Sequence, residues 1–231
     1  MPLADFDPLL LERMRCEWDG RARENARHYI NTANSEWTDE EFFESGRRNV
    51  EHEILTDPGN VFQGRDPKRM VALEIGCGAG RMTRALAEVF GQVYAVDVSG
   101  EMIAKAKLAL ADVPNAHVFQ NNGTDLSVLG EIEIDFAFSY IVFQHIPSRD
   151  VIYSYNREVF RLLRPGGLFK FQVQGDSSAA ENGPDTWLGV HFTDAEAVEM
   201  AQACGFEPRY RRGADGQYFW LWFFKPRGFL E

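Results

Sequence analysis

Glycine recurs at every second position in Gly76–x–Gly78–x–Gly80, directly after the apolar run 70–75 and before a helical pattern. Glycine permits a tight turn, and its missing side chain lets a ligand approach the backbone. In open α/β sheets, ligands settle at the carboxyl ends of the strands. About 20 residues on, Asp97 closes the next strand, where an acid can accept hydrogen bonds from both hydroxyls of a ribose. Together these features point to a nucleoside ligand. A dinucleotide loop has the spacing G-x-G-x-x-G, with its pyrophosphate on the helix N-terminus. Here the third glycine comes one residue early, Arg81 follows it, and Glu74 stands at the mouth. A carboxylate there opposes a pyrophosphate and favours a cation, such as an ammonium or a sulfonium. Two plainer readings stay open: a glycine-rich turn without a ligand, and an aspartate that only caps a helix. Ser99 is better placed for that second task.

Glu74–x–Gly–x–Gly–x–Gly80 with Asp97 resembles the motif of the class I S-adenosylmethionine-dependent methyltransferases, and the resemblance extends in order and spacing over about residues 65–225. It implies S-adenosylmethionine as cofactor, S-adenosylhomocysteine as product, and transfer of a methyl group to an acceptor. Carried across, Glu74, Gly76, Cys77, Gly78 and Gly80 run beside the methionine part of the cofactor. Asp97 takes the ribose, and Val98 and Met102 pack on the adenine, though plain core packing suits these two equally. Residues 119–126 resemble the family's third cofactor stretch. Asn122 stands there where an aspartate is commonest, or Asn121 if the match slips by one. An asparagine carbonyl can accept from the adenine amino group without a charge. Gly123 and Thr124 would offer amides to the ring; a polar turn is the alternative. Residues 133–139 resemble the fourth strand, which delivers Ser139 and Tyr140 to the site. The Asn/Asp-Pro-Pro-aromatic signature of the nucleic-acid adenine methyltransferases is absent from its end. Residues 143–147 are similar to a His-containing turn of the small-molecule members, and 164–169 to a structural turn before the fifth strand.

For the chemistry, the sulfonium already activates the methyl group, so the protein must mainly align nucleophile, methyl and leaving sulfur. His145 is the candidate base, because an imidazole titrates near neutral pH and can take a proton from a hydroxyl. A histidine that only shapes the pocket is the alternative. Tyr140 is the second catalytic candidate, as an orienting group for the acceptor or a contact for the cofactor. Trp187 and His191 lie in the insertion after strand five, which in this family overhangs the acceptor. Tyr29 sits with Trp18, Arg21, Arg23, Asn25 and Arg27 in a first helix that either closes over the cofactor as a lid or packs as an ordinary amphipathic helix. Cys16, Cys77 and Cys204 are far apart, and no metal-ligand spacing occurs.

The elements that must position these residues follow from pattern. Met14, Trp18, Ala22, Ala26 and Tyr29 stripe one helical face. Thr38 and Glu41 form a capping box, and Phe42, Phe43, Val50, Ile54 and Leu55 supply that helix's apolar face. Residues 57–59 end it, and 59–69 read as a linker. Strands are predicted at 70–75, 92–96, 117–120, 134–139, 168–173, 206–212 and 217–224. Helices fall between them, one capped by Ser99, one stopped by Pro165–Gly166–Gly167, and one capped by Thr193 and Glu196. The alternation predicts a Rossmann-like, doubly wound, mostly parallel seven-stranded sheet with an antiparallel C-terminal strand. Residues 1–67 form an N-terminal helical cap, and 68–231 the methyltransferase domain. The very apolar 218–224 is explained if the last strand inserts between its neighbours.

The 231 residues carry 24 Lys and Arg against 35 Asp and Glu, a formal charge of −11. Such a chain has no general attraction for phosphate backbones or anionic membranes, so no nucleic-acid or membrane partner is expected. Arg209, Arg211 and Arg212 are the best candidate for a local basic patch, with a solvated strand end as the plainer reading. The odd, sparse cysteines and the absence of a basic, apolar leader in 1–10 suggest a cytoplasmic protein. The acceptor atom and the oligomeric state are not legible.

Overall fold

Helix α1 (Pro8–Ile30) buries Met14, Ala22 and Ala26 along the expected stripe, with Trp18 and Tyr29 half-buried. The computed structural model describes residues 6–178 and 185–228, so residues 1–5, residues 179–184 of the insertion and residues 229–231 lie outside the described residues. Asn25 departs from helical geometry within α1 (φ −160°, ψ 83°), and its side-chain amide donates to the Ser35 carbonyl. Thr38 caps α2 (Asp39–Val50): its hydroxyl accepts from the Glu41 amide, while the Glu41 carboxylate accepts from the Thr38 amide at 3.1 Å. Phe42, Val50 and Ile54 are buried, but Leu55 is 43% exposed, against expectation. After Val50 the helix widens into a π turn over Glu51–Leu55, which rotates Leu55 off the face a 3.6-residue repeat assigns to it. The expected linker also gains structure. It holds a short helix, α3 (Pro58–Val61), and a 3-10 turn, Pro67–Arg69, both started by a proline whose missing N–H costs nothing there.

Strands and helices then alternate: β1 (Val71–Ile75), α4 (Arg81–Val89), β2 (Gln92–Asp97), α5 (Gly100–Ala109), β3 (Ala116–Gln120), β4 (Ile134–Phe138), α6 (Arg149–Leu162), β5 (Leu163–Val173), α7 (Asp194–Ala203), β6 (Glu207–Arg212) and β7 (Phe219–Phe224). By internal contacts, residues 15–121 form one compact unit, and 122–231 with 1–14 form another. In the first, β3-β2-β1 lie in that order and run parallel, with Val71 opposite Gln92 and Val93 opposite Ala116. In the second, the order is β4-β5-β7-β6; β4 and β5 are parallel, and β7 is antiparallel to both its neighbours. These are the seven strands, mostly parallel with one reversed near the C-terminus, that the sequence predicts. All six residues of β7 are buried, as a strand flanked by β5 and β6 and covered on its faces must be.

Helix α6 buries Val151, Tyr155, Val159 and Leu162 and passes straight into β5 at Leu163. The turn expected at 165–167 therefore lies within the strand, beside a register shift between Ile134 and Phe136. Thr193 and Glu196 cap α7 reciprocally, as expected. The basic cluster is a solvated strand end: Arg209 pairs with Glu207, and Arg211 with Asp194. Among the described residues, no helix is long and apolar enough to cross a membrane.

Residues 15–67, read from sequence as part of a separate cap, lie in the same compact unit as the glycine loop. The contact between α2 and α4 is the reason. Arg81, 4% exposed at the start of α4, donates to Asn49 Oδ1 (2.6 Å) and Ser45 Oγ (3.3 Å) of α2. A β-carbon on Gly46 would stand 2.1 Å from the Arg81 carbonyl oxygen. In an open helix, Gly46→Ala would stabilise by about 1 kcal/mol. Against this backbone, overpacking reverses the sign, with a net loss of about 1–3 kcal/mol. Urea denaturation of the variant checks it: a midpoint equal to or above the wild type would contradict the close approach.

Candidate active site

Within residues 15–121, the strand β1 carries Glu74 and runs into a loop whose three glycines all have positive φ (Gly76 77°, Gly78 53°, Gly80 83°). A side chain on Gly78 would also meet Ile30, whose Cδ1 would lie 2.7 Å from its β-carbon, so α1 covers the loop closely. The Asp97 carboxylate holds the loop in place. Its Oδ2 accepts from the Gly78 amide and its Oδ1 from the Ser99 amide, both at 2.9 Å. Burial pushes the Asp97 carboxyl up to about 6, with these two amides pulling it back. Glu74 is 4% exposed and accepts from Thr83 Oγ1 at 2.6 Å. Burial pushes it up to about 7, against the Thr83 bond and the Arg81 charge. Cys77 turns its thiol into the core with Ala95 and Ile103, which pushes that thiol up and leaves only backbone facing the loop.

Helix α1 reaches this cluster through a residue that the pattern of the sequence does not single out. Asp19 Oδ1 accepts from Ser99 Oγ at 2.6 Å and from the Glu101 amide at 3.2 Å. Ser99 thus caps α5, through the Met102 amide, while donating to α1. Met102, expected against adenine, is packed under Ala22 and Ala26 with Trp18 and Ile30 around it. Val98 is half-buried, and its carbonyl accepts from Gln120. The arginines of α1 are engaged: Arg21 lies over Trp18, Arg23 pairs with Glu101, and Arg27 with Asp39. The Tyr29 hydroxyl donates to Glu24 at 3.0 Å, which raises its pKa.

Among the later residues, Asn122 is placed otherwise than an adenine acceptor would be. Its Oδ1 accepts from the Thr124 amide (2.8 Å), the Thr124 hydroxyl (2.9 Å) and the Asp125 amide (3.0 Å), so it builds the turn that holds Gly123 at φ 84°. The neighbouring Asn121 is buried, and its amide donates to the Asp97 carbonyl at 3.0 Å. Ser139 is buried at the end of β4, and the Tyr140 ring stacks on Phe138 and leans on Trp220. His145 ends a 3-10 turn, Phe143–His145, and is 8% exposed. Its Nδ1 bonds the Trp187 carbonyl, and the two rings lie 5.2 Å apart. The insertion is tied to this turn: Val190 donates to the Ile146 carbonyl, and Asp185 accepts from the amides of Trp187 and Leu188. His191 bridges to Gln174, and its carbonyl accepts from Arg149. Sequence reading brought out His145 and Trp187 separately; their pairing across 42 residues left no trace in local pattern.

The donor set fits an S-adenosylmethionine. The loop offers glycine backbone for close approach, each Asp97 oxygen has a lone pair beyond its bond to the Gly78 or Ser99 amide, and the carboxylates of Glu74, Asp97 and Asp19 favour a cation. Residues 73–171 match the family model described as a methyltransferase domain. Over 160 residues the chain is 27% identical to the malonyl-[acyl-carrier protein] O-methyltransferase of Enterobacter lignolyticus, covering 65% of this chain and 60% of that one. Over 129 residues it is 30% identical to the trans-aconitate 2-methyltransferase of Deinococcus radiodurans, covering 54% and 46%. Its fold is similar to that of the DhpI–SAH complex, with a TM-score of 0.68 at 20% identity over 96% of this chain and all of the other. Residues 73–171 are thus similar to a methyltransferase domain, on a fold shared with S-adenosylmethionine-dependent methyltransferases. The chain spans about half the length of the curated relatives it matches, 60% and 46% in these two cases.

The raised Glu74 carboxyl predicts a pH dependence for cofactor binding. With a value of about 7 in the free protein, Glu74 is mostly protonated at pH 6 and mostly ionised at pH 8. A ligand ammonium favours the ionised form, so affinity falls as pH falls through 7. If ionisation is complete in the complex, the loss from pH 8 to pH 6 is about tenfold. Calorimetry with S-adenosylhomocysteine should read that loss in the wild type and a flatter profile in Glu74→Gln. Equal slopes in the two proteins would remove Glu74 from the ligand's charge balance.

Proposed function

We propose that the chain transfers the methyl group of S-adenosylmethionine to a small-molecule acceptor, with His145 as the group that receives or holds the acceptor's proton. The observation that carries this reading is the bond between His145 Nδ1 and the Trp187 carbonyl. A carbonyl only accepts, so Nδ1 bears the proton and the basic lone pair of the neutral ring lies on Nε2. The exposed Trp187 ring lies 5.2 Å from the imidazole, as an aromatic wall beside it. When bound, the cofactor supplies a methyl group made electrophilic by its sulfonium. Asp97 accepts from the ribose hydroxyls while holding the loop, Glu74 faces the cationic amino-acid end, and Asn121 rather than Asn122 serves the adenine. Ser139 and Tyr140 contact the methionine end. Trp187 and His191 orient the acceptor, and Tyr29 of α1 is a further acceptor-binding candidate.

The acceptor class is supported by the names of the relatives, one for malonyl-[acyl-carrier protein] and one for trans-aconitate, and by the net charge of −11, which disfavours a nucleic-acid acceptor. Three free cysteines suit a cytoplasmic setting. A panel of hydroxyl- and carboxylate-bearing acceptors, read by S-adenosylhomocysteine formation, tests the activity; no turnover with any of them would count against a small-molecule acceptor. For a hydroxyl acceptor, His145→Ala should lower turnover by about 10²–10⁴ while S-adenosylhomocysteine affinity stays within about threefold. Unchanged turnover would withdraw the base assignment.

A further inference from the structure

The strand β4 ends in a backbone conformation that its sequence resists. Phe138 lies opposite Lys170 in the parallel pairing of β4 with β5, and the Ser139 amide extends the ladder by donating to the Lys170 carbonyl at 3.1 Å. The next donor on that side is the Ile141 amide. It meets no strand carbonyl; it donates instead to the side-chain oxygen of Gln172, Oε1, at 2.8 Å. Ile141 has φ 55°, in the left-handed region, where a β-branched residue is a genuine outlier. Such a conformation persists only where its surroundings hold it. Gln172 is 3% exposed on β5, opposite Trp220 of β7. Trp220 in turn receives the Tyr140 ring at 5.9 Å, and Phe138 stacks beneath that ring at 6.3 Å. The Gln172 side chain therefore stands in for the missing rung. It lets the chain leave β5 at Tyr140 while fixing the direction in which it leaves.

We propose that Gln172 is a positioning residue for the methionine end of the cofactor, acting through the Tyr140–Ile141 turn. This rests on the reading that Ser139 and Tyr140 contact that end. The glutamine touches neither cofactor nor acceptor; its oxygen sets where Ser139 and Tyr140 present their groups. Loss of that oxygen should weaken only ligands that carry the amino-acid end.

The experiment compares two probes by calorimetry: S-adenosylhomocysteine, and 5′-methylthioadenosine, which keeps the adenosine but lacks the amino-acid end. Gln172→Met preserves volume without an acceptor, and Gln172→Glu restores one. Gln172→Asn, which withdraws the oxygen by one methylene, replaces the methionine variant if that one fails to fold by circular dichroism. The expected result is a loss of about tenfold for S-adenosylhomocysteine in Gln172→Met, a change under about twofold for 5′-methylthioadenosine, and recovery in Gln172→Glu. Equal losses for both probes would mean a merely structural role and would overturn the proposal, as would no loss for either. Tyr140→Ala separates the two readings. A selective loss there with a silent Gln172→Met overturns the role of Gln172 alone, whereas silence in both overturns the Tyr140 assignment with it.

Discussion

The carboxylate of Asp97 ties three things that the rest of the site depends on. One oxygen holds the Gly78 amide and so sets the curve of the glycine loop; the other holds the Ser99 amide and so sets the start of α5. Ser99, placed by that bond, caps α5 and at the same time donates to Asp19 of α1. A single acid at the end of β2 therefore fixes the loop, the next helix and the first helix relative to each other. Substitution there would disturb geometry as well as ligand contact, because the same two oxygens serve both.

The electrostatics follow from the same crowding. Glu74 and Asp97 are enclosed near one another, with Asp19 close to Asp97, and burial raises both Glu74 and Asp97 above the usual carboxylate range. An enclosed cluster of acids is costly when ionised and empty of cations. A bound ammonium or sulfonium would offset that cost, and an anionic ligand would add to it. The dinucleotide alternative, with its pyrophosphate, meets repulsion at the same place.

Much of this was legible in the sequence. The strand–glycine–helix order, Asp97 and the two capping boxes rest on short-range rules, in which a residue's type decides what its own backbone can do. The β7 run of six apolar residues likewise announced a strand covered on both faces. Elsewhere the local rules misled. Leu55 fell on the apolar face of an ideal helix, but a π turn changed the pitch. The 59–69 stretch looked like a linker, yet its prolines start two short helical turns. Asn122 matched a motif position, but its oxygen is taken up by its own turn.

By itself, then, the sequence determined the class of fold, the glycine loop with its acid, and the set of polar residues from which a site is assembled, because each of these depends on spacing along a few turns of chain. Only the tertiary structure decided how those residues are used. That Asp19 bonds Ser99 across 80 residues, that His145 presents Nδ1 to the Trp187 carbonyl, and that Gln172 carries the Ile141 amide are matters of packing between distant segments. No periodicity records them, since a hydrogen bond between remote side chains constrains geometry at the two ends and nothing in the chain between.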